Sequence, residues 1–227
     1  MNPFKYGCVV DGEYFCPRPE LERQLRAYAE SGQNVVVQGE RRMGKTSLIR
    51  HAIGGMRRMR MLYIDLYCIR TLADLCRRVM NGIAEANESM PFVRKAMSLV
   101  NQLRPTLSFD VNTGAPQISV DARAAAGPDS LGAVMGMIRR LAKDERLCVV
   151  FDEFQDILGI ERADVVLAEM RSTIQFQADT PYFFSGSVRN DMMRIFDDSK
   201  SPFFKSAVTF TVGPIDAPKF EKFILDR

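Results

Sequence analysis

Ten residues, Gln38–Ser47, read QGERRMGKTS. Within them Gly39, Gly44, Lys45 and Thr46 fit the pattern G-x-x-x-x-G-K-[ST]. Each position has its own chemical reason. Glycines permit a tight backbone path that turns successive N–H groups inward around phosphate oxygens. A helix starting near Lys45 would aim its positive N-terminal end at the same anion. Lys45 can reach the β- and γ-phosphates, and the Thr46 hydroxyl can ligate Mg²⁺, a hard cation that prefers oxygen. Arg41 and Arg42 are not required by the pattern. They either contact phosphate or a neighbouring subunit, or form a solvated basic tip.

Two further stretches carry chemistry. LCVVFDEFQDI (Leu147–Ile157) is an apolar strand closing on Asp152 and Glu153. An acid at such a strand end can hold Mg²⁺, usually through its water shell, and Glu153 is placed to orient and deprotonate an attacking water. Asp156 either assists or caps the turn. YFFSGS (Tyr182–Ser187) is a second apolar strand ending in hydroxyls. Ser185, in preference to Ser187, is the candidate to sense a γ-phosphate or position the water.

These groups need elements to hold them. NVVVQ before the loop reads as a buried strand, and GKTSLIRHAIGGM after it as a helix ending at its glycines. PRPELERQLRAYAESG is a helix with Leu21, Leu25 and Tyr28 on one face, closed by Gly32. MLYIDLY is a strand; TLADLCRRVMNGIAEAN and PFVRKAMSLVNQL are amphipathic helices. TLSFDVNTGAPQISV is a hairpin over about residues 106–121, inserted in the pattern, either a partner-binding ornament or an ordinary edge. PDSLGAVMGMIRRLAKDE is a helix capped by Asp129 or Ser130. RADVVLAEMRSTIQFQ is a helix, SAVTFTV a last strand, and DAPKFEKFILDR a final helix after a hinge at GPIDAP. Short apolar strands alternating with helices predict an α/β fold, a parallel sheet covered on both faces.

Composition narrows the class. The 227 residues are 46% hydrophobic and 26% charged, which argues against disorder. A net charge of +3 gives no strong case for nucleic acid. The basic run Met56–Arg60 reads first as a solvated helix end and second as a phosphate-backbone contact. Five cysteines without a C-x-x-C pair, and one histidine, argue against a zinc site or a disulfide framework. Cys148 is expected inside a buried strand. No apolar run reaches the length of a membrane span and no signal-peptide core is present, so a reducing, cytoplasmic location is expected.

With the three elements in this order, the chain resembles the archaeal-type ATPases, a signal-transduction branch of P-loop NTPases near the AAA-plus proteins (the MNS-like clade). The resemblance is carried by GERRMGKTSLI, VVFDEFQ, FSGS and SPFFKSAVTFTVGPI, with YFCPRPELERQL similar to an N-terminal nucleotide box. It implies a three-layer sandwich with strand order 5-1-4-3-2, which would set Ser185 between the loop strand and the acid strand. It implies ATP and Mg²⁺ as ligands. The phosphates would lie on Gly39, Glu40, Arg41, Arg42, Met43, Gly44, Lys45, Thr46 and Ser47, the metal on Thr46 and Asp152, and Arg18 would flank the nucleotide. It also implies a core over 1–213, with 214–227 the start of a truncated helical lid. Two positions depart from the family. Pro17 stands where a glycine usually precedes the box arginine, and Lys205 and Ser206 stand where Gly-Arg is frequent. Lysine lacks the bidentate fork of an arginine finger.

Three functions compete. The first is Mg²⁺-dependent ATP hydrolysis driving a conformational switch, with Lys45, Glu153 and Ser185 catalytic. The second is an ATP-binding regulatory scaffold with negligible hydrolysis. The third is a DNA-associated, initiator-like factor. A nucleotide-linked homo-oligomer follows from the AAA-plus kinship; the protein partner is not specified by the sequence. Adenine over guanine is implied by the resemblance, and no N-K-x-D motif for guanine is present.

Overall fold

Each core strand alternates its side chains between two faces, and the two faces find different helices. The computed structural model describes residues 5, 7–86, 105–109, 116–120, 128–187 and 189–226. Seven strands occur among them: β1 (Val35–Gln38), β2 (Arg60–Asp65), β3 (Pro105–Phe109), β4 (Pro116–Val120), β5 (Leu147–Asp152), β6 (Tyr182–Gly186) and β7 (Val208–Thr211). The helices are α1 (Pro19–Glu30), α2 (Lys45–Gly54), α3 (Leu72–Ala86), α4 (Pro128–Asp144), α5 (Ala163–Ile174), α6 (Arg189–Phe196) and α7 (Ala217–Leu225).

Five strands form one parallel sheet in the order β2-β5-β6-β1-β7. Counting only these five along the chain, that is 5-1-4-3-2 read from the β7 edge, the order the family resemblance implies. β3 and β4 pair antiparallel as a separate hairpin, Thr106 opposite Ser119. One face of the sheet carries Val36, Leu62, Ile64, Val149, Phe151, Tyr182 and Phe184 and is covered by α3, α4, α5 and α6. The other carries Val35, Val37, Cys148, Val150, Phe183 and Phe210 and is covered by α1 and α2. Period-2 alternation therefore sorts the strand residues into two cores, as a doubly covered sheet requires. No helix among the described residues is long and apolar enough to cross a membrane.

Some boundaries differ from the sequence reading. α4 begins at Pro128, so Asp129 and Ser130 lie inside its first turn and neither is the N-cap. Proline's fixed φ and missing N–H suit a first helical position, and this preference overrides the capping pattern. α6 was not expected from sequence: its eight residues are held by burial of Met192, Ile195 and Phe196. Arg60 belongs to β2 and pairs with Glu145 at 2.9 Å, so the basic run is divided between a turn and a strand. The helix expected over 91–103 lies outside the described residues.

Candidate functional site

The loop after β1 leads into α2 through two special glycines. A Cβ on Gly39 would fall 2.3 Å from the Val212 carbonyl oxygen, so no side chain fits there. Gly44 has φ 74°, a left-handed conformation that costs other residues about 1 kcal/mol or more, and it forms the N-cap of α2. Lys45 follows, only 7% exposed. Its ammonium donates to the carbonyl oxygens of Gly39 and Glu40, both at 2.9 Å, and so spans the loop. Burial lowers its pKa from the usual lysine value, while Glu153 and Asp152 oppose that shift. Glu40, Arg41 and Arg42 are exposed on the loop tip, and Arg42 has φ 66°.

The acids arrive from β5. Asp152 shares its sheet face with Cys148 and Val150, the face covered by α2, and this alternation brings it to Thr46. The Thr46 hydroxyl donates to Asp152 Oδ2 at 2.6 Å. Tyr63 on β2 donates to the same oxygen at 2.7 Å, and the Glu153 N–H donates to Oδ1 at 3.1 Å. Burial and the nearby Asp152 charge push the Tyr63 phenol well above its ordinary pKa, so it stays a proton donor.

At Glu153 the chain turns sharply, with φ 50°, into a short 3-10 helix. The turn is enforced from below. Phe154 is fully buried, with ring centroids 4.7 Å from Phe184, 5.8 Å from Phe196 and 5.7 Å from Phe203. Thus Asp152 faces α2, Phe154 enters the opposite core, and Glu153 is left between them just past the carboxyl end of β5, an interior strand. Its Oε2 accepts from Gln155 Nε2 at 2.6 Å and from Ser187 Oγ at 3.1 Å. Gln155 also donates to Asp156 at 3.1 Å, and Asp156 accepts the Cys68 N–H at 2.7 Å.

No family model and no curated relative matches the chain. Solved structures do. A Walker-type ATPase of Pyrococcus abyssi aligns over 98% of this chain and 60% of its own, with TM-score 0.65 and 20% identity. The fold is that of the P-loop ATPases. The Aeropyrum pernix ORC2 protein in its ADP form aligns over 98% of this chain and 54% of its own (TM-score 0.57, 13% identity). The ORC1 protein of the same organism, solved in complex with DNA, aligns over 96% and 54% (TM-score 0.52, 16% identity). This chain spans about 60% or less of the length of these proteins.

Within this P-loop fold the remaining expected residues are spread around the loop. Ser185 is completely buried on β6, paired in register with Val37, and its Oγ has no hydrogen-bond partner. Ser187, one residue past the strand end, is the hydroxyl on Glu153. Ser47 is buried and accepts the Val10 N–H at 3.1 Å. Arg18 donates to the Met43 carbonyl at 2.7 Å and to the Gly213 carbonyl at 3.1 Å, tying the loop to the segment before α7. Lys205 pairs with Asp197 at 2.7 Å, and the Ser206 hydroxyl donates to the Phe203 carbonyl. Beside the loop lies a cavity of about 270 Å³, walled by Phe15, Arg18, Gly44, Ser47, Phe220 and Phe223. A second, of about 520 Å³, opens between Gly39, Met43, Ser187 and Val212.

The donor set suits Mg²⁺. Thr46 and Asp152 offer hard oxygens side by side, and among the described residues no group of three or more His, Cys, Asp or Glu comes together. A cation that completes its shell with phosphates and water fits such a site better than one needing an all-protein cage.

Tyr63, Gln155 and Ser187 are the polar groups on the two acids that the motifs do not single out. Gln155 is the sharper test of positioning. Gln155→Leu removes the donor at 2.6 Å from Glu153, and a hydrogen bond to a charged group contributes about 1.5–3 kcal/mol. If the site hydrolyses ATP, turnover by the variant should fall about tenfold or more. Nucleotide affinity should hold, and the melting temperature should drop only modestly: the variant loses the two Nε2 bonds, to Glu153 and Asp156, but also removes the buried Oε1 that has no partner. Steady-state kinetics and thermal melting check the two halves.

Proposed function

We propose that this chain binds ATP with Mg²⁺ at the Gly39–Ser47 loop and hydrolyses it, the turnover driving a conformational switch. The observation that carries the reading is the Thr46–Asp152 contact at 2.6 Å, with buried Lys45 on one side and Glu153 on the other. Residues 106 positions apart meet in the arrangement that phosphate-plus-metal chemistry needs.

In this reading the loop N–H groups and Lys45 hold the β- and γ-phosphates. Thr46 and Asp152 hold the cation, which when bound neutralises charge on the phosphate oxygens. Glu153, anchored through Oε2, takes the proton of the attacking water. Ser185 keeps an unpartnered hydroxyl on the face shared by Asp152 and Lys45, which supports a role in sensing the γ-phosphate. The base would enter the cavity walled by Phe15, Arg18, Phe220 and Phe223. Residues 1–213 would form the ATPase core, and 214–227 the start of a lid.

A nucleotide-regulated scaffold is the second reading. The Lys205–Asp197 pair favours it, because the cation near the late arginine position is already engaged. Association with DNA, a property of the ORC1 structure, has weaker support: Arg60 of the basic run is occupied by Glu145 and the Ala86 carbonyl.

Phosphate release at high protein concentration, with and without Mg²⁺, decides between the first two. Turnover that appears only with Mg²⁺ is the expected result. Tight ATP binding with no release under both conditions would replace the enzyme by the scaffold.

A further inference from the structure

Asp152 is held by more than the loop. Its Oδ2 takes two hydroxyl protons, from Thr46 at 2.6 Å and Tyr63 at 2.7 Å, while its Oδ1 takes the Glu153 N–H. The carboxylate is therefore fixed from three elements: α2, β2 and its own backbone. We propose that Tyr63 is a positioning residue for the cation, a neighbouring-strand donor that locks the Asp152 carboxylate in the orientation that directs Thr46 toward the metal.

The argument begins with the Thr46 proton. A hydroxyl has one proton and two lone pairs. With that proton committed to Asp152 Oδ2, the lone pairs of Thr46 Oγ1 are left for a cation. The arrangement works only while Oδ2 faces Thr46. Rotation about the terminal torsion of an aspartate is soft and broad, so the carboxylate needs an external stop. Tyr63 supplies it.

The tyrosine is itself built in. It sits on β2 opposite Val150 of β5, two residues before Asp152, with its side chain on the α2 face. Arg50, one helical turn after Thr46 on α2, places its guanidinium 5.1 Å from the ring centroid. One helix thus supplies both the Thr46 hydroxyl and a cation on the ring face. Groups that orient a metal's protein ligands typically change metal affinity by about 10–100-fold when removed.

The inference rests on the proposed nucleotide site, and the test separates the two. ADP binding is measured by calorimetry for the native chain and for Tyr63→Phe, each with MgCl₂ and with EDTA, and thermal melting is recorded for both. Tyr63→Phe keeps the ring and removes only the hydroxyl. The expected result is unchanged metal-free ADP affinity, with the affinity gained from Mg²⁺ reduced about tenfold. A Mg²⁺ gain equal to the native one overturns the role of Tyr63 and leaves the nucleotide site standing. An equal loss with and without Mg²⁺ also overturns it, since the hydroxyl would then support the fold alone. No ADP binding by the native chain removes the nucleotide reading and this inference together.

Discussion

Glu153→Gln is expected to leave ATP bound and to stop phosphate release, if Glu153 is the base of the proposed hydrolysis. The substitution preserves shape and keeps an oxygen for the Gln155 and Ser187 donors that anchor the native Oε2. It removes the negative charge, and with it the ability to accept a proton at neutral pH. Positioned general bases contribute about 10²–10⁴-fold, so turnover should fall by at least about a hundredfold. ATP affinity should stay within about threefold, because Glu153 lies outside the Gly39–Ser47 loop that would carry the phosphates in the proposed reading. The backbone strengthens the assignment. Glu153 sits at φ 50°, a conformation that costs an ordinary residue about 1–3 kcal/mol. It is maintained by Phe154 buried among Phe184, Phe196 and Phe203. Strain of this kind persists where surrounding packing fixes it, and here it orients a carboxylate. Single-turnover assays with nucleotide binding measured in parallel check the claim; turnover within threefold of native would refute the base.

The loop and acid strand were legible because their signals are local. A strand, a G-x-x-x-x-G-K-T loop and a helix follow one another within twenty residues, and LCVVFDE is an apolar run that closes on its acids. Strand order came from the resemblance, and the sheet bears it out. The partners of the acids were not legible. Tyr63 looks like one more apolar residue in MLYIDLY; only the parallel pairing of β2 with β5 turns it toward Asp152. Gln155 sits within FDEFQD, where nothing local distinguishes a buried donor from a solvated glutamine.

The two serines of FSGS show the same limit more finely. Ser185 is still within β6, on the same face as Phe183, and is completely buried. Ser187 falls one residue beyond the strand, where alternation no longer dictates direction, and it reaches Glu153. A side chain at Gly186 between them would displace Met192 or Gln155, since a Cβ there would meet Met192 Sδ at 2.5 Å and Gln155 Oε1 at 2.6 Å. The close approach of Gln155 to β6 is thus part of how Glu153 is held, and it depends on contacts among β5, β6 and α6 that no single window contains.

Lys45→Met should sharply weaken nucleotide binding while the protein stays folded. Methionine matches the length of the lysine stem and removes the ammonium. Charge-assisted hydrogen bonds contribute about 1.5–3 kcal/mol each, so ATP affinity should fall about a hundredfold, at 1.4 kcal/mol per factor of ten. Stability should change little, because two effects oppose each other. The carbonyls of Gly39 and Glu40 lose a donor at 2.9 Å, and the loop loses its cross-brace. Against that, the variant no longer holds a largely desolvated charge, the same burial that lowers the Lys45 pKa. The sign of that shift gives a second readout. A lowered pKa means that Lys45 discharges at a lower pH than an ordinary lysine. Native ATP affinity should therefore weaken as pH rises through that lowered value, and the Lys45→Met variant should show no such decline. Fluorescent-nucleotide titration across the alkaline range, with circular dichroism to confirm folding, measures both. Native-like affinity in the folded variant would mean that the loop N–H groups hold the phosphates without the lysine.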